Sequence, residues 1–139
     1  MIDALGEPAC LVRRLPMPWL PAPGPLERRF YLPGPKDLML SFAGWEHAGS
    51  AVHRAIAGLS VGDQLCYVEN NRGIRFDDMA GTTVGRLSKH FKAPAGMRCI
   101  AARVRAVLVW RKCDNAPEYQ ERCRRDRWEV AMPELVFGR

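Results

Sequence analysis

No run of apolar residues in this chain approaches the roughly 18 that a membrane-crossing helix needs, so no membrane partner is expected. No Cys-x-x-Cys occurs. The five cysteines (Cys10, Cys66, Cys99, Cys113 and Cys123) are odd in number and irregular in spacing, which argues against a disulfide framework or a zinc finger. They read as free thiols, and a cytoplasmic location is expected. The first ten residues carry Asp3 and Glu7 and no basic segment ahead of an apolar one, so no secretory signal is expected. A Gly-rich phosphate loop, Gly-x-Ser-x-Gly and His-Glu-x-x-His are all missing, which removes three common frameworks for nucleotide, acyl and zinc chemistry. Lysine is scarce, at 4 residues against 17 Arg. The planar guanidinium fork suits bidentate contact with phosphate.

The most informative absence is local. Residues 84–112 contain no Asp or Glu, yet they hold Arg86, Lys89, Lys92, Arg98, Arg103, Arg105, Arg111 and Lys112. The rest of the chain has 13 basic against 15 acidic side chains, so the net charge of +6 is concentrated in this stretch. A concentrated positive field points to a polyanionic partner. Residues 102–110 also alternate as a strand. Ala102, Val104, Ala106, Leu108 and Trp110 would point one way, and Arg103, Arg105, Val107, Val109 and Arg111 the other. One face could then enter a core while the opposite face carries guanidinium groups at its ends.

Eight of the eleven prolines fall within residues 1–35, and between Pro16 and Pro25 they recur every two or three positions, which excludes a regular helix. Residues 1–28 read as a Pro-rich arm or linker, and residues 29–139 as one compact domain. Residues 30–32 and 38–42 read as strand segments separated by Pro33-Gly34-Pro35. Ser50 can cap a short helix over residues 50–57 that Gly58 closes. Strands are predicted over 64–69, 74–77 and 82–87, joined by turns at 70–73 and 78–81. Ser88 can cap one helical turn over 89–92. The polar residues 113–125 make a solvated connection, and a last strand over 128–137 is broken or bulged at Pro133, which places it at an edge. The fold class is mainly β, a small strongly bent antiparallel sheet or barrel with one or two short helices.

The order Gly62-Asp63-x-Leu65, a strand ending in Asn70-Asn71, Ile74-Arg75-Phe76, a turn with Gly81, and Val84-Gly85-Arg86-Leu87-Ser88-Lys89 resembles the HIRAN domain. That family is a small β-barrel module found alone or fused to helicases and nucleases. Residues 84–137, especially Asp126-Arg127-Trp128-Glu129-Val130, are also similar to C-terminal accessory regions of bacterial RecQ-type helicases. The resemblance implies DNA binding and, in the family, a pocket for the 3′ end of a single strand. The family's Asn-Pro-Tyr-Asp-x-Asn-Ala-Ile stands here as Asn70-Asn71-Arg72-Gly73-Ile74, without the Pro, Tyr or Asp that would grip a terminal sugar and stack its base. Only the Asn carries over, as Asn70 or Asn71, with Gly85, Arg86 and Lys89 from the later part of the motif.

A single-strand-binding surface needs cations for phosphates and flat faces for bases. The candidate site is Trp45, Tyr67, Asn70, Asn71, Arg72, Arg75, Arg86, Lys89, Lys92, Arg103, Arg105, Arg111 and Lys112. Phe76 and Phe91 are further aromatics, of which Phe76, like Trp110, reads as core. Asp77-Asp78 with Lys89 and His90 resembles a metal nuclease site only superficially, since an acidic pair in a hairpin turn serves local hydrogen bonds. His47 and His53 are six apart, which does not place them on one helix face as metal ligands. No catalytic residue, metal or cofactor is expected. The expected function is a nucleic-acid-binding accessory module, for single-stranded or end-bearing DNA, of a helicase or other DNA-processing machine. The alternatives are a protein-interaction module docking through its Pro-rich arm and, more remotely, a small metal-dependent nuclease.

Overall fold

The computed structural model describes residues 27–139. The arm expected over residues 1–28 therefore lies, except for its last two residues, outside the described residues. Seven main elements follow in order: β1 (Arg28–Tyr31), α1 (Ala51–Ala57), β2 (Cys66–Asn70), β3 (Gly73–Asp77), β4 (Thr83–Arg86), β5 (Arg98–Arg111) and β6 (Arg127–Gly138). They form two antiparallel three-stranded sheets, ordered β1-β6-β5 and β2-β3-β4. The mainly-β expectation holds, but as two sheets rather than a closed barrel. The segment ahead of β2 joins them: Gln64 bridges Arg103, the Leu65 N–H donates to Ala102 O at 2.9 Å, and the Val104 N–H donates to Asp63 O at 2.8 Å.

Local chemistry builds the second sheet. At the β2–β3 turn, Asn70 Oδ1 accepts the Arg72 N–H at 2.8 Å, and Gly73 takes the positive φ of 115° that lets the chain reverse. At the β3–β4 turn, Asp78 Oδ1 accepts the N–H groups of Ala80 (3.0 Å) and Thr82 (2.8 Å). Asp77 accepts from Thr83 Oγ1 at 2.8 Å and from Arg75 Nε at 3.1 Å. The acidic pair is thus spent on the hairpin itself.

The first sheet departs from the sequence expectation at three places. Along β5, Val104 lies opposite Pro133 but Ala106 lies opposite Met132, so Arg105 is an extra residue in a β-bulge. The bulge shifts the alternation by one: Ala102 and Val104 lie opposite Leu135 and Pro133, and beyond the bulge it is Val107, opposite Ala131, that falls on their face, while Ala106 falls on the other. Second, β6 is one continuous strand between β1 and β5, not a broken edge. Pro133 fits there because it faces Val104, whose N–H and C=O bond instead to Asp63 O and the Gly62 N–H. No ladder bond is lost to the missing proline N–H. Third, residues 38–42 are not a strand. Leu38 bridges Leu87, and the chain then turns into a 3-10 segment, Ala43–Trp45, carrying Gly44 across Trp128.

Trp128 explains that detour. Its indole is 3% exposed and donates from Nε1 to Leu40 O at 2.7 Å, while a Cβ on Gly44 would sit 2.6 Å from the ring. The rest of the core gathers Phe76, Phe137, Leu135, Val84, Val104 and Ile56, all at most 1% exposed. Tyr31, Phe91 and Phe137 form an aromatic cluster beside them, with Tyr31 edge-on to both at 5.6 and 5.7 Å. Helix α1 begins after Ser50, as expected, but the Ser50 hydroxyl makes no cap bond and is buried without a partner. Ser88 caps a single turn, though not a helix: its Oγ accepts the His90 N–H at 3.3 Å and its backbone carbonyl the Phe91 N–H at 3.1 Å.

Candidate nucleic-acid interface

The β2-β3-β4 sheet has two unlike faces, and its register separates them. Tyr67 lies opposite Phe76, and Phe76 opposite Gly85; Phe76 is 1% exposed, so this row faces the core. The neighbouring row, Val68 opposite Arg75 opposite Arg86, therefore lies on the outer face. Two guanidinium-bearing residues thus stand side by side across β3 and β4. Arg86 Nη2 reaches back to donate to Arg72 O at 3.1 Å, within the turn that Asn70 closes. Arg72, Arg75 and Arg86 are thereby brought to one end of one sheet, beside Asn70 and Asn71. Arg75 shares itself with Asp77, but its side chain remains 34% exposed. Arg72 and Arg86 have no carboxylate partner among the described residues.

The other basic candidates do not join this group. Strand β5 has 14 residues, so at ~3.3 Å per residue its two ends are up to about 40 Å apart. Arg103 binds Glu134 at 3.2 Å, with both side chains largely covered. Arg105, turned by its bulge, donates from Nη2 to Pro33 O at 3.2 Å, and its Nε is buried. These two arginines hold the first sheet together. Arg111, at the far end, is exposed and grips Asp114 through both nitrogens, Nε at 3.2 Å and Nη2 at 2.9 Å. That contact holds the Asp114 carboxyl below the usual carboxylate range. Lys112 follows it there, with its N–H on Asp126 O at 2.7 Å. Lys89 and Lys92 are exposed in the connection between β4 and β5.

The aromatic candidates divide as well. Tyr67 packs against the core, half-buried: its ring meets Phe137 edge-on at 5.8 Å and Phe76 at 6.4 Å. Burial, with the Glu69 charge second, pushes its phenol well above the ordinary value. Phe91 is buried and stacked near Phe137 at 6.3 Å. Trp45 is half-buried in a separate cleft of about 420 Å³ with Leu40, Tyr119 and Arg122. The outer face of the second sheet consequently offers cations and amides, and Val68 as an apolar neighbour, but no stacking ring among the described residues.

Burial also pushes the Cys99 thiol up to about 11. Cys66 and Cys113 are exposed. No three His, Cys, Asp or Glu side chains come together as metal ligands among the described residues, and no helix there is long and apolar enough to cross a membrane. Sequence reasoning passed over Arg54, Arg125 and Arg127, which line a cleft beside α1. The only signal was the arginine-rich segment 122–127, which Glu121 and Asp126 disguise as an ordinary solvated connection. Compared with known proteins, the chain matches no family model, no curated protein and no solved structure.

Proposed function

We propose that this domain binds single-stranded or end-bearing nucleic acid, DNA by preference, through the outer face of the β2-β3-β4 sheet. The observation that carries the reading is the convergence of Arg75 and Arg86 across one strand pair, with Arg86 tied to the Arg72 carbonyl. The turn's own hydrogen bonds fix the backbone under these side chains, so little order has to be created on binding. A phosphodiester strand laid along the turn would meet three guanidinium groups, and Asn70 and Asn71 could contact sugar or base edges. Lys89 and Lys92 add positive charge farther along the chain. The HIRAN resemblance of the same segment supports DNA as the polyanion, and an accessory role beside a helicase or other DNA-processing enzyme supplies a partner. The reading does not extend to recognition of a 3′ end, because the family's gripping residues are absent and Tyr67 is committed to the core.

Fluorescence anisotropy with labelled single-stranded, duplex and 3′-overhang DNA of one sequence tests it. Three guanidinium contacts at ~0.7 each give a salt slope near 2 for a single strand, so affinity should fall about twentyfold between ~50 and ~200 mM salt. An Arg72→Glu and Arg86→Glu double variant should bind at least a hundredfold more weakly. Absence of oligonucleotide binding at low salt would defeat the proposal.

A further inference from the structure

A second cationic cleft lies between α1 and the hairpin of β5 and β6. It has a volume of about 500 Å³. Arg54 enters it from the helix, Arg125 from the connection ahead of β6 and Arg127 from the first position of β6; Glu129 is the one carboxylate among the described lining residues. Arg125 and Arg127 have no carboxylate partner among the described residues, and Arg54 is steadied by donating to the Gly49 carbonyl. Its wall is unusually well fixed. Trp128, which borders the cleft, is pinned by its bond to Leu40 O and by the close approach of Gly44. Apolar surface remains open within it, since Ala57 is exposed and Val109 is 58% exposed.

An apolar strip bordered by unpaired guanidinium groups matches one chemistry well. A nucleotide unit has a flat apolar face and a phosphate at each side, whereas an acidic peptide offers carboxylates without a plane to cover Val109. We infer that this cleft is a second phosphate-contacting site, taking a nucleotide unit of a single strand with its phosphates on Arg54, Arg125 and Arg127 and its base over Ala57 and Val109. The inference rests on the nucleic-acid reading above and extends it to a part of the molecule outside the β2-β3-β4 face.

The test uses dT20 with the whole protein. Three further contacts raise the single-strand salt slope from about 2 to about 4, so affinity between ~50 and ~200 mM salt should fall about three-hundredfold rather than twentyfold. An Arg125→Glu and Arg127→Glu double variant should bring the slope back toward 2. Independently of any variant, the backbone amide signals of Ala57 and Val109 in the unaltered protein should shift on adding dT20. If the slope stays near 2, the variant binds normally and those amides stay still while Arg72 and Gly73 respond, the cleft inference is overturned and the first reading stands. If no oligonucleotide binds, both fall. Binding of phosphatidylserine vesicles in place of oligonucleotide, abolished by the same variant, would assign the cleft to a membrane surface and overturn it too.

Discussion

Arg103 and Arg105 sit in the middle of β5, whereas Arg75 in β3 pairs with Arg86 at the last position of β4. The first two look inward: one bonds to Glu134, and the other, displaced by a bulge, bonds to the carbonyl of Pro33. The second two stand on an outer face, where Arg75 is paired with the buried Asp77 and Arg86 has, among the described residues, the carbonyl of Arg72. Three of the four belong to the same acid-free stretch of sequence, although β5 and β6 run to 14 and 12 residues and no strand of the second sheet exceeds 5. Charge density along a chain therefore does not measure charge density on a surface. A long strand spreads its charges over tens of ångströms, and a bulge can turn a surface arginine into a strut.

The largest effect belongs to the first sheet: Trp128→Ala should lower stability by about 3–5 kcal/mol in urea unfolding, since it empties a buried indole site and orphans Leu40 O. Alkali should act on the same sheet through Cys99. Its thiol rises from an ordinary value near 9 to about 11 on folding, so the folded state holds the proton longer than the unfolded chain. That stability is complete below about pH 9 and is lost as pH rises toward 11, by at most about 2 kcal/mol after allowance for partial exposure. A Cys99→Ala variant should lack this slope. Arg103→Ala should cost about 1–2 kcal/mol, because it leaves the mostly covered Glu134 carboxylate unpaired. Arg72→Ala, on the outer turn, should change stability by less than about 0.5 kcal/mol. Equal costs at Arg103 and Arg72 would erase the distinction between strut and contact.

What could be read from the sequence followed how local the cause was. Asp78 with Gly81, and Asn70 with Gly73, announce their turns because the hydrogen bonds close within four residues. The strands around those turns followed from them. The bulge at Arg105 was invisible, since residues 106–110 (Ala-Val-Leu-Val-Trp) are all apolar and a shift of one leaves an apolar side chain on each face. What displaces Arg105 lies far away in the chain, at Pro33 and Pro133. Pro133 suggested an edge for the same reason: only its partner Val104, already bonded elsewhere, shows why a central strand accepts it. The run at 38–42 looked like a strand, but Trp128, some 88 residues from Leu40, claims a carbonyl there and forces the turn. Tyr67 could be read from sequence as a stacking ring or as core, and its register with Phe76 turned it inward. Arg72, Arg75 and Arg86 were individually legible as candidates, and only strand pairing revealed that they form a group.

The most direct test sets two double variants side by side in one single-strand titration at low salt. The account predicts that Arg72→Glu with Arg86→Glu weakens binding at least a hundredfold at unchanged stability. Arg103→Met with Arg105→Met should shift the unfolding midpoint while leaving affinity within about threefold. Loss of binding in the second variant with none in the first would contradict it.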